Sequence, residues 1–419
     1  MEEERPLREA REAISQQEAG ESAVDSNLET NLSQTSASSP SSSSGPRSGL
    51  LIGGVIVVVV LIIIGLVLLG QGLLGGEETT ADAESPQSSE STLSVPGEFE
   101  LTLDNEAAAV QVARVSKDDF TGKQTEDTSL STAADAIPSR LTLASDVYTV
   151  GYEGDAPTGE ATITIPDDAQ PYQTLDLYGW YNDKWQFVAS SVDSEGKSLT
   201  SADGALPGAL ALMQTAAATD PEVGADLLPT QSIPVEMTPH LTEVSAGTLT
   251  LGQNAALSGE VVPVPEGGYR TLVRVTNTGA IVDTASLSTL LADTTLQDEH
   301  NNTLLDMVTS GGYAGVNLDY QGVDPSQKAA FTAFVQKLAD RLHEQELVLA
   351  VTLETPFQDG SNWDTGGQDW AAIGQTADEV RLQMPIEPIV YGDGEKAERL
   401  VVWAVRQIDR SKLVAVLNI

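Results

Sequence analysis

The 419-residue chain contains no cysteine. That excludes disulfides, thiolate nucleophiles and cysteine-ligated zinc or iron–sulfur centres. A eukaryotic secreted protein of this size would more often carry disulfides, so the absence points to a bacterial or archaeal surface protein. Basic residues are scarce as well: Lys and Arg number 21 against 62 Asp and Glu, a formal net charge of -41. Nucleic-acid backbones are gripped by fields of Lys and Arg, so no nucleic-acid partner is expected, and the acidic excess reads as keeping an exposed domain soluble or as the mark of a salty surrounding medium. Histidine is rarer still. His240, His300 and His343 are scattered along the chain, suggest no metal site and read as surface or helix residues. No cofactor is implied.

What the sequence does have is one long hydrophobic run. From Ser48 to Gly76 no residue is charged, and Leu50 to Leu69 is almost wholly Ile, Val, Leu and Gly. A helix of about 20 such residues crosses the ~30 Å hydrocarbon core of a bilayer. Residues 49–71 are therefore expected to form a single transmembrane helix. A buried core helix would show a polar flank, and a cleaved signal peptide would have a shorter apolar region nearer the terminus. Orientation follows the Lys/Arg bias. Arg5, Arg8, Arg11 and Arg47 precede the run, and the next basic residue is Arg114, beyond Glu77, Glu78, Asp82 and Glu84. The N-terminus is expected in the cytoplasm and the later domains outside the cell.

The remainder divides by rhythm. Residues 1–48 pass from a Glu/Arg run into a Ser/Pro/Gly tract that cannot bury enough apolar surface to order itself, so a disordered tail is expected. Residues 72–96 have the same character and read as a disordered stalk. Over 97–215, short runs such as Phe99-Glu-Leu-Thr-Leu, Tyr148-Thr-Val-Gly-Tyr and Ala161-Thr-Ile-Thr-Ile alternate at the two-residue strand period, with turn signals between them. Strands without intervening helices predict an all-β, antiparallel sandwich. Trp180 and Trp185 could offer a stacking platform for sugars, but such residues are more commonly core. A Pro/Ala-rich stretch at 216–229 reads as a linker.

From 230 to 419 strands alternate with helices. Thr271-Leu-Val-Arg-Val-Thr, Gly315-Val-Asn-Leu-Asp, Leu347-Val-Leu-Ala-Val-Thr-Leu, Glu379-Val-Arg-Leu-Gln-Met and Leu413-Val-Ala-Val-Leu are the strands, and Gln231–Val235 is a weak candidate for the first. Ser286–Ser310, Pro325–His343, Trp370–Ala377 and Glu395–Gln407 are the helices. This alternation predicts a parallel sheet with helices outside it, an α/β fold of the (β/α)8 barrel type. The sequence ends at Ile419 within the seventh expected strand, so the barrel is expected to be incomplete at its C-terminus: either this is an incomplete version of a longer protein or the barrel is open.

The segment Gly312-Tyr-Ala-Gly-Val-Asn-Leu-Asp-Tyr-Gln-Gly-Val, followed by a helix and the strand Leu347–Leu353, resembles glycoside hydrolase family 18, in particular its bacterial spore-cortex and cell-wall branch. Trp363-Asp-Thr-Gly-Gly-Gln-Asp-Trp and Val402-Trp-Ala-Val-Arg-Gln-Ile resemble the runs into that family's sixth and seventh strands. The family carries Asp-Gly-x-Asp-x-Asp-x-Glu at the end of barrel strand four. Here Ala314 and Gly315 take the first two positions, Asn317 the second Asp and Asp319 the third, and Gln321 stands in the place of the catalytic Glu.

The resemblance implies a substrate-assisted reaction. The acetamido group of an N-acetylated sugar attacks its own anomeric carbon while a carboxylic acid protonates the leaving oxygen. Gln321 has the shape of that acid but no transferable proton, and loss of a general acid costs about 10²–10⁴-fold in rate. Asn317 removes a second carboxylate, and only Asp319 remains to meet an acetamido group. Glu354 ends the fifth expected strand, and Met384 ends the sixth without the Tyr that the family's Met-x-Tyr-Asp would supply. These two are the candidate substrate-binding residues, and Glu354 and Glu387 are the carboxylates that could replace the missing acid. The reading that follows is a membrane-anchored extracellular protein that binds glycan or cell-wall polysaccharide, or acts as a scaffold, without cleaving it. The alternative is an active endoglycosidase acting on N-acetylglucosamine polymers such as chitin or peptidoglycan.

Overall fold

The computed structural model describes residues 91–419, apart from 105–109, 125–127, 153, 194, 217–221, 228–230, 261–266, 360–361, 385–394 and 418–419. The tail expected at 1–48, the span at 49–71 and most of the stalk at 72–96 lie outside the described residues. Among the described residues no helix is long and apolar enough to cross a membrane.

The first region consists of two antiparallel sheets. One runs Ser91–Val95, Phe99–Leu103, Thr158–Thr164, Ser198–Ser201, Ser190–Val192, and the other Gln111–Val115, Val147–Gly151, Ala209–Thr215, Leu175–Tyr181, Lys184–Val188. Alternating side chains from both meet in one core. Phe99, Leu101, Ile163 and Leu199 come from the first sheet, and Val150, Leu177, Leu210 and Leu212 from the second. Ser91–Val95, inside the stretch expected to be stalk, is a strand that pairs in register with Phe99–Leu103 across a turn at Gly97. Two short helices, Lys117–Thr121 and Thr128–Asp135, are absent from the strand pattern; their Phe120, Leu130 and Ala133 cover the outer face of the second sheet. Trp185 is core there, with its indole N–H donating to the Ala133 carbonyl at 2.8 Å.

The second region is a curled, mainly parallel sheet, a half-barrel. Its parallel strands are β1 (Gly224–Leu227), β2 (Glu243–Leu251), β3 (Arg270–Thr276), β4 (Gly315–Asp319), β5 (Val348–Leu353), β6 (Glu379–Gln383) and β7 (Leu413–Val416), in that spatial order, and Leu257–Glu260 pairs antiparallel with β2. Each pairs in parallel with the next. The helices are α1 (Thr284–Ala292), α2 (Thr294–Gly311), α3 (Lys328–His343), α4 (Trp370–Thr376) and α5 (Glu395–Gln407). Strand alternation sends Val273, Val275, Val316, Leu318, Leu349, Val351, Val380 and Leu382 outward into the core they share with Leu304, Phe331, Phe334, Leu338 and Leu400 of the helices. The other face of each strand points into the curl, and it is mostly polar.

Three details differ from the sequence expectation. The first strand is Gly224–Leu227, inside the stretch expected to be linker, and 231–235 forms no strand. Pro234 supplies no N–H for a ladder, whereas Ala225 and Leu227 can turn outward while Asp226 points inward. The helix expected at Ser286–Ser310 is two helices, because Asp293 ends α1 and caps α2 by accepting from the Thr295 and Leu296 N–H groups. His300 is a helix residue but not a surface one: it is buried, with one ring nitrogen 2.8 Å from the Tyr320 hydroxyl and the other 3.1 Å from the Ala255 carbonyl.

The two regions are joined by a buried polar contact. Arg406 of α5 donates to the Leu175 carbonyl and, at 3.1 Å, to that of Tyr172. Arg410 forks onto Asp176 at 2.6 and 2.7 Å, while Asp409 accepts from Arg140 at 2.8 Å and from the Tyr178 hydroxyl at 3.2 Å.

Candidate functional site

The C-terminal ends of β3, β4 and β5 bring the motif residues together. Gly315 opens β4 where a side chain could not fit, since a Cβ there would lie 2.0 Å from the Val348 carbonyl oxygen on β5. Two residues on, Asn317 is buried within the curl. It accepts from the Thr352 hydroxyl at 2.8 Å and donates to the Ser245 hydroxyl at 3.3 Å. Its amide therefore bridges β2, β4 and β5.

Asp319 ends β4 with only 2% of its side chain exposed, and both of its oxygens are engaged. Arg274 of β3 places its Nε 2.9 Å from Oδ2 and its Nη2 closer still. The other oxygen accepts from the Gln321 side-chain amide at 2.5 Å. Arg274 was not anticipated from the sequence. The only signal was an arginine in the middle of an apolar and Thr run, one strand away from the motif aspartate. The register pairs Arg274 with Asn317 and Thr276 with Asp319, so the long arginine side chain reaches one pair further along the curl.

Gln321 is held by its backbone as well. Buried Asn277 accepts from the Gln321 N–H and donates to the Gln321 carbonyl, both at 2.8 Å. Between Asp319 and Gln321, Tyr320 points outward and is wholly buried, which pushes its hydroxyl well above the ordinary tyrosine range. Burial also lowers the pKa of its partner His300, keeping the imidazole neutral so that it can pair with the tyrosine hydroxyl. The Asp319-Tyr320-Gln321 step is thus fixed on both sides of the sheet.

Glu354, just past β5, reaches the same mouth. Its carboxylate accepts from the Gly322 N–H at 2.5 Å, and its own N–H donates to buried Gln368, which also binds the Tyr320 carbonyl. Met384 does not join the group. It is buried in the apolar cluster on the helix side of the sheet. Glu387 lies outside the described residues. The loops beyond β3 and β5 expose Ile281 and Phe357, which are 80% and 72% accessible. Among the described residues no group of three His, Asp or Glu side chains is arranged to hold a metal ion.

At the opposite, N-terminal end of the curl lies a second charged group. Arg270 of β3 pairs with Glu243 of β2 and, at 2.9 Å, with Glu379 of β6. Arg381 of β6 reaches Asp226 of β1 at 2.8 Å and Ser245 at 3.1 Å. Burial, and then the Glu243 charge, push the Glu379 carboxyl up to about 7 against the pull of the two arginines. These bonds tie the first strands to the sixth across the interior.

No protein-family model matches the chain. It is 25% identical over 107 residues to the uncharacterized glycosylase YvbX of Bacillus subtilis (strain 168), a match covering 25% of this chain and 31% of that protein. A second glycosylase candidate of that organism, the sporulation-specific YdhD, is 24% identical over 155 residues, covering 34% and 36%. The chain carries a glycoside hydrolase family 18-like domain. It spans about a third of the length of these two relatives. Among solved structures, the spore cortex-lytic enzyme SleL of Bacillus cereus overlays with a TM-score of 0.39 at 17% identity, covering 74% of each chain. A class V chitinase of Pseudomonas fluorescens Pf-5 overlays at 0.38 with 21% identity, covering 43% of this chain and 62% of that one.

Proposed function

We propose that the family 18-like domain binds a glycan or cell-wall polysaccharide without hydrolysing it, and does so outside a cell whose membrane the 49–71 segment crosses with the N-terminus in the cytoplasm. The observation that carries this reading is the bonding of Asp319. Gln321 replaces the general acid with an amide that has no proton to transfer. Asp319 is then engaged by that same amide and by Arg274 and is 2% exposed, which leaves it poorly placed to receive a sugar's acetamido N–H. A polar interior suits the hydroxyls of a pyranose, and exposed Phe357, in the segment after β5, offers a ring for its C–H face.

The decisive experiment incubates the intact chain with a fluorogenic chito-oligosaccharide and with peptidoglycan, and follows both turnover and binding. The expected result is saturable binding, weakened by Phe357→Ala, with no product above buffer. The second reading, an active endoglycosidase, is favoured by Glu354, a carboxylate in contact with the Gly322 N–H at the same mouth. Turnover that disappears in Glu354→Gln would establish it and reject the first.

A further inference from the structure

We infer that the glycan taken at this mouth is an acidic one, and that Arg274 receives its carboxylate; the inference rests on the glycan-binding reading above. A guanidinium has two edges that match a carboxylate: the Nε–Nη2 side and the Nη1–Nη2 end. Arg274 spends the first on Asp319. Its Nη1 bonds to no described residue, so the end edge is available to a ligand.

Exposure decides which charge of the pair a ligand meets. The Asp319 side chain is 2% exposed and that of Arg274 is 30% exposed. The pair is neutral as a unit but presents its positive end to the opening. Gln321 adds an amide whose nitrogen is already committed to Asp319, which leaves its oxygen as an acceptor for a sugar hydroxyl. A neutral chito-oligosaccharide would use that acceptor but could offer the guanidinium edge only single uncharged oxygens. A sugar bearing a lactyl ether or a uronic acid would use both.

The net charge of -41 acts against anions at long range. It is screened beyond about 8 Å at physiological salt, so the short bidentate contact governs the bound state. Asp319 also holds the guanidinium plane in place before any ligand arrives, which lowers the ordering cost of binding.

The test compares two probes of matched length by titration calorimetry with the intact chain. One is chitotetraose. The other is the tetrasaccharide of alternating N-acetylglucosamine and N-acetylmuramic acid. The carboxylate probe is expected to bind at least about tenfold more tightly, the contribution of one charge-assisted contact. The preference should shrink in Arg274→Lys, which keeps the charge but not the fork, and vanish in Arg274→Gln. Because Arg274→Gln leaves Asp319 buried without its cation, the double variant Arg274→Gln/Asp319→Asn is measured beside it and should likewise bind both probes equally. Equal affinity of the native protein for the two probes would overturn the inference and leave the glycan-binding reading standing. A preference that survives in both variants would also overturn it, by moving the carboxylate contact elsewhere. Failure of both probes to bind would reject the glycan reading and the inference with it.

Discussion

At the scale of single residues, three side chains bear on the acid chemistry, not only the two visible in the motif. Gln321 and Asn317 are amides in acid positions, and Arg274 is a cation on the aspartate that remains. Restoring the motif with Gln321→Glu and Asn317→Asp therefore leaves Asp319 paired, and the double variant is expected to stay within a few-fold of background on a fluorogenic chito-oligosaccharide. A rate gain of about 10²-fold or more, the usual contribution of a general acid, would contradict this account of Arg274. Arg274→Ala is expected to cost about 3–5 kcal/mol in urea unfolding, because it strands a buried carboxylate. Asp319→Asn should cost less, since the cation left behind is partly solvated. The motif residues were legible because they lie within one short segment of sequence. Arg274 and Asn277 were not, because their significance comes from a neighbouring strand more than forty positions away, and a single sequence carries no trace of that pairing. Met384 was drawn to the site by its likeness to a family position, yet the two-residue strand period turns it to the helix side with Val380 and Leu382.

At the scale of elements, strongly periodic segments were legible and weak or broken ones were not. Phe99–Leu103 alternates buried and exposed residues as its sequence alternates, and Phe331, Phe334, Val335, Leu338 and Leu342 mark one face of α3. Strand β2 escaped because its sequence, Glu-Val-Ser-Ala-Gly-Thr-Leu-Thr-Leu, begins with a buried charge and shifts register between Ser245 and Thr248. Strand β1 escaped because it is short and lies in a Pro/Ala-rich stretch. What holds both in place is the charged group at the N-terminal end of the curl, and this gives a pH prediction. Arg270 and Arg381 face Glu243, Glu379 and Asp226, so the group carries one excess negative charge until a carboxyl is protonated. Glu379 has its carboxyl raised from 4.5 to about 7 in the folded protein. Between those values the folded state holds the proton and the unfolded state has released it, so this group's contribution to stability falls as pH rises from about 4.5 to about 7. Glu379→Gln should flatten that part of the profile and gain most, relative to the native chain, above pH 7. Urea midpoints measured from pH 4.5 to 8.5 decide the matter. A native midpoint that rises steadily across the window, with Glu379→Gln following in parallel, would remove Glu379 as the titrating group.

At the scale of the whole molecule, the antiparallel region and the half-barrel share an interface of charges, with Asp176 and Arg406 at its buried centre. Asp176 is fully buried on Leu175–Tyr181, and burial raises its carboxyl even though Arg410 and Arg406 pull it the other way. Arg406 is itself buried, and it holds two backbone carbonyls across the boundary. Separating the regions would expose these groups, but it would also break a forked Arg410–Asp176 pair and the Asp409 contacts to Arg140 and Tyr178. Contacts of this kind couple the folding of their partners, because removing one member leaves an uncompensated charge in low dielectric, at a cost of about 3–5 kcal/mol. The two regions are therefore expected to melt together. Scanning calorimetry of the intact chain should show them as one cooperative transition, with the calorimetric and van't Hoff enthalpies in agreement for that peak. Arg410→Ala should lower this transition and split it into two, since Asp176 would then have only Arg406, 3.5 Å away, to balance it. The double variant Arg410→Ala/Asp176→Ala removes the stranded charge and should recover part of the lost stability without restoring full coupling. Two transitions already present in the native protein, unmoved by Arg410→Ala, would show that the regions fold independently and that the interface charges do no more than orient them.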